Sequence, residues 1–232
     1  MKKTQRRILP IDPAAARWLW IVGMITVLSW CIDWLWLWIP GAILMLVLAG
    51  FFRDPPRRIS ARPGCVVSPA DGTITDIRTN TNPEAGPEDG ICISIFLSVF
   101  NVHINRSPFA GQVKSIEYKP GKFLDARHPD SHQLNEANWI HLQCGPWCMT
   151  VRQISGLIAR RIICRVRRGQ VLGRGERIGL ICFGSRTELY LPPGARLEVE
   201  VGMKVRGGST IMAVLPVEEG RGEHAGNEPL FP

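Results

Sequence analysis

Between Trp18 and Phe52 the chain is almost wholly apolar, and Asp33 is its only charged residue. Such a run has to lie in a membrane or be buried whole. It is too long for the apolar core of a secretion signal, and no small-residue cleavage site follows it. One membrane span needs about 20 apolar residues, so the run holds one long span or two short ones. Asp33 divides it near the middle, with Trp30, Trp34, Trp36 and Trp38 around it. Tryptophan prefers the membrane interface, and a carboxylate avoids the bilayer centre. The pattern predicts a helical hairpin over roughly residues 17–32 and 35–52, with Asp33 at the far turn and Pro40-Gly41 shortening or kinking the second arm. A single tilted span, or a hairpin lying shallow in the membrane plane, accommodates the same residues. Lys2, Lys3, Arg6 and Arg7 precede the run, and Arg53, Arg57 and Arg58 follow it. The excess of basic residues at both ends puts both on the cytoplasmic side of a cell (inner) membrane. Residues 1–54 are therefore read as a membrane-anchoring hairpin.

From Pro55 the pattern changes, and residues 55–232 read as one β domain. Short apolar runs alternate with Gly, Pro and Asn turns. Strands are expected at Cys65–Val67, Gly72–Ile77, Ile91–Phe100, Gln112–Tyr118, Trp139–Leu142, Cys148–Ile154, Arg161–Val166, Arg177–Cys182, Thr187–Leu191, Leu197–Val201 and Thr210–Leu215. This spacing is that of a mainly β sandwich or barrel; only Ser155–Arg160 hints at a short helix. A weak internal echo exists: Gly169, Gly175 and Ile178 are matched thirty-three positions later by Gly202, Gly208 and Ile211. Paired glycine turns of this kind suggest a barrel-sandwich, lipoyl/biotinyl-like domain. Carriers of that type need a lysine at a hairpin tip, and Lys204 lies before the turn. In this echo Ser209 takes the place of Glu176.

The net charge of +8 calls for an anionic partner. No nucleic-acid-binding signature accompanies it, so the expected partner is an anionic membrane. Seven irregularly spaced cysteines indicate reduced thiols. Cys144, Cys148 and His141 offer only one cysteine pair, with Pro146 and Trp147 between, so no metal site is expected.

The chemistry centres on Val205-Arg206-Gly207-Gly208-Ser209-Thr210-Ile211. Gly-Gly-Ser-Thr between apolar runs is an ordinary turn sequence. It also sets a hydroxyl beside the Gly208 carbonyl, where no side chain blocks approach. Given a strained turn and a nearby base, Ser209 can attack that carbonyl and cut its own chain. Five histidines could be the base. His103 follows a strongly apolar strand, His128 and His132 lie in a polar loop, His141 sits within a strand, and His224 is in a Gly/Glu-rich tail. Asp71, in Ser68-Pro69-Ala70-Asp71-Gly72, is either hairpin chemistry or an orienter for a histidine.

Taken in order, these stretches resemble phosphatidylserine decarboxylases of the short bacterial and archaeal type, from about Phe51 to Leu215. The motifs are Phe51-Phe52-Arg53-Asp54-Pro55, Ser68-Pro69-Ala70-Asp71-Gly72, Asn101-Val102-His103-Ile104-Asn105-Arg106, the run from Arg152 to Arg161, Phe183-Gly184-Ser185-Arg186, and Gly207-Gly208-Ser209-Thr210. The resemblance implies a proenzyme that cuts itself between Gly208 and Ser209. A large chain, 1–208, and a small chain, 209–232, would result, with Ser209 converted to an N-terminal pyruvoyl cofactor. The activity implied is decarboxylation of phosphatidylserine in the bilayer to phosphatidylethanolamine and CO2 through a Schiff base. By the family's Asp-His-Ser arrangement, His103 is the base and Asp71 its orienter. Larger relatives carry a second histidine where this chain has Arg106, so His103 serves cleavage, decarboxylation or both. Arg106, Arg186 and Lys204 are candidates for the lipid phosphate. A homodimer is among the assemblies this allows. Two other readings stay open: a membrane-tethered lipoyl-like carrier or adaptor with an uncleaved turn, and a decarboxylase of another serine-headgroup lipid.

Overall fold

The computed structural model describes residues 11–80, 86, 88–124, 134–156, 161–182 and 185–216. Lys2, Lys3, Arg6, Arg7, His128, His132, Leu157–Arg160, Phe183-Gly184 and His224 lie outside them, as does most of the short helix expected at 155–160. The apolar run folds as two contacting helices, α1 (Ala16–Cys31) and α2 (Leu35–Phe51). Asp33 turns the chain between them in the left-handed region, at φ 56°, which Asp tolerates better than most residues. Asp12 starts the first arm by accepting from Ala14 N–H at 2.9 Å, ahead of a 3-10 turn at Pro13–Ala15. Pro40 stands inside α2, which runs through it, although a proline there removes the N–H that would meet the Trp36 carbonyl. Thr26 and Ser29 return their hydroxyls to the carbonyls of Val22 and Ile25, the usual refuge for a hydroxyl in apolar surroundings. Trp18, Trp20, Met24, Leu28, Trp36 and Leu46 are exposed around the pair, a surface that asks for an apolar solvent. By length and composition, Pro13–Cys31 is long and apolar enough to cross a membrane, while Leu35–Phe51 is shorter. This apolar segment points to membrane association.

The remainder is mainly β. Its strands are β1 (Cys65–Val67), β2 (Gly72–Thr79), β3 (Ile91–Leu97), β4 (Ile104–Arg106), β5 (Gly111–Lys119), β6 (Ala137–Cys144), β7 (Trp147–Ile154), β8 (Ile162–Cys164), β9 (Val171–Leu172), β10 (Arg177–Ile181), β11 (Ser185–Leu191), β12 (Arg196–Leu197), β13 (Lys204–Val205) and β14 (Ile211–Val214). An eight-stranded sheet has the order β13-β2-β3-β11-β7-β6-β5-β9, and two three-stranded sheets have the orders β1-β14-β12 and β4-β10-β8. Side chains alternate across the large sheet. Ile93, Ile95 and Leu97 of β3, Leu189 and Leu191 of β11, Val151 of β7, and Ile140 and Leu142 of β6 enter one core, joined by Val66, Ile178 and Met212 from the small sheets.

The pairing repeats itself. β1 pairs with β14 and β14 with β12, just as β4 pairs with β10 and β10 with β8. β2 lies between β13 and β3, as β5 lies between β9 and β6. The two sets meet at the β11–β7 pair in the middle of the large sheet. The echo read in the sequence is thus part of a twofold repetition that runs through the β domain.

The helical hairpin is not hung on a loose linker. Phe51 and Phe52 at its base form a second buried cluster with Ala15, Val102, Ile104 and Leu180. Phe52 O accepts from Asp12 N–H at 2.7 Å, and Asp12 is ion-paired to Arg165. Asp54, fully buried in its side chain, pairs with both Arg106 and Arg177.

Candidate functional site

The turn 206–210 joins β13 to β14. Ser209 and Thr210 N–H both donate to Arg206 O at 3.0 Å, and Arg206 N–H donates to Thr210 Oγ1 at 2.9 Å. Gly208 N–H donates to Ser68 O at 2.8 Å, with Gly208 at φ 76°. A side chain there would be strained, and its Cβ would stand 3.0 Å from Arg106 Cδ. Among the described residues Ser209 Oγ has no hydrogen-bond partner, so the hydroxyl is uncommitted.

Asp71 reaches this turn directly. Its Oδ1 accepts from Gly207 N–H at 2.7 Å, and Arg57 Nη2 donates to both carboxylate oxygens, at 3.0 and 2.8 Å. The carboxylate is thereby fixed one residue before the Gly208–Ser209 bond. Its hydrogen-bond partners among the described residues are the turn and Arg57.

His103 stands elsewhere. It precedes β4, and the other end of that three-residue strand is Arg106, roughly 10 Å away at ordinary strand rise. Its ring lies 4.2 Å from that of Phe51, and its Nδ1 is 2.9 Å from Asn101 O. A carbonyl only accepts, so Nδ1 carries the proton and Nε2 is the basic nitrogen. Burial pushes its pKa down to about 4; the Asn101 carbonyl opposes the drop and Arg53 adds to it. His103 is therefore a neutral imidazole at the base of the hairpin.

The three cations expected for a phosphate are dispersed. Arg106 is buried, donates to Gly175 O at 3.1 Å and pairs with Asp54 at 2.8 Å; burial lowers its pKa to about 10 against the pull of Asp54. Its charge is already engaged within the fold. Lys204 is exposed on β13, opposite Thr73. Thr73 pairs with Phe96, and Phe96 with Arg186, so Lys204 and Arg186 share one row of the large sheet about 14 Å apart. Two residues missed in the sequence matter here: Arg57, which holds Asp71, and Asp54, which holds Arg106. Asp54 stood inside a quoted motif; nothing in the spacing of Arg57 pointed to Asp71.

The repeat supplies a twin of the turn. Gly175, at φ 73°, donates N–H to Ser107 O at 2.8 Å, as Gly208 does to Ser68 O. Ser68 and Ser107 each turn Oγ onto the carbonyl two residues on, at 2.7 Å. The return bonds differ: Ser107 N–H donates to Glu176 O, but Ser68 N–H donates to Thr210 O. The serine turn is one residue longer. Beyond it Ile211 pairs with Val67 as Arg177 pairs with Arg106, so the match of Ile178 with Ile211 expected from the sequence is off by one. Ser209 therefore lies in the lengthened turn and does not simply replace Glu176.

A family model for phosphatidylserine decarboxylase matches residues 44–213. The chain is 47% identical over 178 residues to a protein of Burkholderia pseudomallei (strain K96243) named phosphatidylserine decarboxylase proenzyme, covering 76% of this chain and 82% of the relative. Proteins of the same name from Burkholderia mallei (strain ATCC 23344) and Burkholderia vietnamiensis (strain G4 / LMG 22486) are each 46% identical, over 178 and 177 residues and with the same coverage.

Proposed function

The chain belongs to the phosphatidylserine decarboxylase family of carboxy-lyases, and from that premise we propose that it is a proenzyme which cuts itself between Gly208 and Ser209 and then decarboxylates phosphatidylserine. The observation that carries the residue assignment is the pair formed by an uncommitted Ser209 hydroxyl and an Asp71 carboxylate fixed to Gly207 N–H in the same turn. Ser209 Oγ attacks the Gly208 carbonyl carbon as the bond from that carbon to Ser209 N breaks, leaving an ester and a free amine. Loss of the Ser209 Cα proton expels the Gly208 carboxylate, and hydrolysis of the resulting enamine releases ammonia. A base is needed twice. Asp71 stands at the turn for the first proton transfer, and Arg57 holds it in place. The pyruvoyl group left at residue 209 supplies the electron sink for loss of CO2. His103, neutral and held by Asn101 and Phe51, is assigned to proton handling during decarboxylation. Lys204, exposed on the large sheet, is assigned to the headgroup phosphate ahead of Arg106, whose charge is engaged by Asp54, with Arg186 in the same row as the other candidate.

In this reading residues 1–54 anchor the protein and 55–232 form the catalytic domain, a barrel-sandwich of lipoyl-like type, as its twofold repetition suggests. The basic residues at the hairpin base favour the cytoplasmic face of the inner membrane. The partners are phosphatidylserine in the bilayer, the anionic membrane surface, and the two chains of one proenzyme. Light scattering in detergent decides whether a second copy joins them. The test of the cleavage is the intact mass of purified protein: fragments 1–208 and 209–232, the latter with a blocked N-terminus, support the proposal. A full-length mass that still releases CO2 from lipid refutes it.

A further inference from the structure

Among the described residues, Phe100 is the most exposed large apolar side chain of the β domain, at 83%, and its neighbour Val99 is 40% exposed. They form the tip of the turn between β3 and β4. This turn is held firmly: Asn101 Oδ1 accepts from Ser98 N–H at 2.9 Å and from Ser98 Oγ at 2.8 Å, while Asn101 N–H donates to Ser98 O at 3.0 Å. The closed ring of bonds pushes residues 99 and 100 outward.

The same turn is tied to the helical hairpin. Arg53 donates from Nη2 to Phe100 O and from Nη1 to Gly50 O, each at 2.6 Å. Sharing one guanidinium puts these carbonyls within about 7 Å of each other. Val47 and Leu46, 58% and 74% exposed, lie about one helical turn further along α2. A rigid, water-exposed aromatic thus stands beside the point where the lipid-seeking surface of the hairpin begins. On the other side of Asn101 and Val102 the chain continues into His103, whose ring lies 4.2 Å from that of Phe51 in the hairpin.

We propose that the Val99–Phe100 tip inserts into the headgroup–acyl boundary of the leaflet that receives the hairpin base, as a second and non-helical membrane contact. An aromatic ring suits that depth. Two fixed points set the tilt of the β domain, so that the His103 end faces the bilayer. The inference rests on the membrane reading of the hairpin.

The test uses full-length protein in vesicles of phosphatidylcholine and phosphatidylglycerol, with an environment-sensitive fluorescent amino acid placed at position 100 or, as an exposed control, at Tyr118. At position 100 the emission should shift to the blue, be quenched by a lipid nitroxide near the headgroups and resist aqueous iodide; Tyr118 should do the reverse. Equal iodide quenching at both positions overturns the proposal. So does a shift that follows protein density and ignores the nitroxide, which assigns the tip to a second copy. This arm needs no turnover, so it stands or falls apart from the decarboxylase reading. In a second arm, Phe100→Asp should leave self-cleavage and turnover of a monomeric short-chain phosphatidylserine unchanged, while turnover of the bilayer lipid falls about tenfold, the scale of returning one Phe side chain to water. Phe100→Leu should restore most of it. An equal loss on both substrates overturns the proposal.

Discussion

The turns at 206–210 and 173–177 occupy equivalent places in the two halves of the β domain, yet their chemistry differs. Both use a positive-φ glycine whose N–H is bound by the carbonyl of a Ser-Pro turn. In the second turn Glu176 spends its own carboxylate on Gly173 N–H at 2.8 Å, and Ala110 stands where the first half has Asp71. In the first, the carboxylate comes from outside the turn, one residue has been added, and the hydroxyl is left over. On the proposed function, a shared backbone frame is thus compatible with an inert turn or an armed one. The difference lies in one added residue and one acid.

The largest effect that tests this contrast is Ser209→Ala, which should leave the chain full length and without decarboxylase activity, by intact mass and CO2 release. The reciprocal change Glu176→Ser should create no second cut, since that turn lacks both the acid and the extra residue; fragments ending at Gly175 would break the comparison. Next, Asp71→Ala should slow self-cleavage by about 10²–10⁴-fold, the usual weight of a general base. Asp71→Asn keeps an acceptor for Gly207 N–H, so a cleavage rate near wild type would reduce Asp71 to a structural bond.

Smaller effects are expected on stability. Gly208→Ala should cost about 1–2 kcal/mol from left-handed backbone strain, read as a lowered melting temperature of the uncleaved Ser209→Ala protein. Gly175→Ala should cost at least as much, because its Cβ would fall 2.3 Å from Ile59 Cδ1. Stability should also depend on pH. Folding lowers the pKa of His103 from 6.5 to about 4, so the unfolded chain binds the extra proton in that window. The stability contribution is whole above about pH 6.5 and is lost as pH falls toward about 4. His103→Gln should flatten that part of the acid limb in denaturant titrations.

Much of this was legible in the sequence where periodicity is long. The hairpin arms expected at 17–32 and 35–52 are α1 and α2 within a residue or so, because Asp33 leaves little choice of turn. Long alternating strands such as β2, β3, β5, β7 and β11 follow their apolar pattern. Some of the short strands did not show. β4, β9 and β13 are two or three residues long, and β4 and β13 carry Arg106 and Lys204, so they have no period to read. The expected strand Ile91–Phe100 stops at Leu97, where Asn101 closes the turn. Contacts that fix chemistry are also remote in sequence, as Arg57–Asp71 and Asp54–Arg106 are, and no local signal announces them. Only the folded chain shows that Asp71 meets Gly207 N–H and Arg57, while His103 meets Asn101 and Phe51.

β14 is hydrogen-bonded on both edges, to β1 and to β12. A nick after Gly208 therefore frees one end and dislodges nothing. The new terminal group hangs from Ile211 on a leash of two residues, ~7 Å at full stretch. Its reach is small and its anchorage firm, so a reactive carbonyl made by breaking the backbone stays about as well aimed as one carried on a side chain.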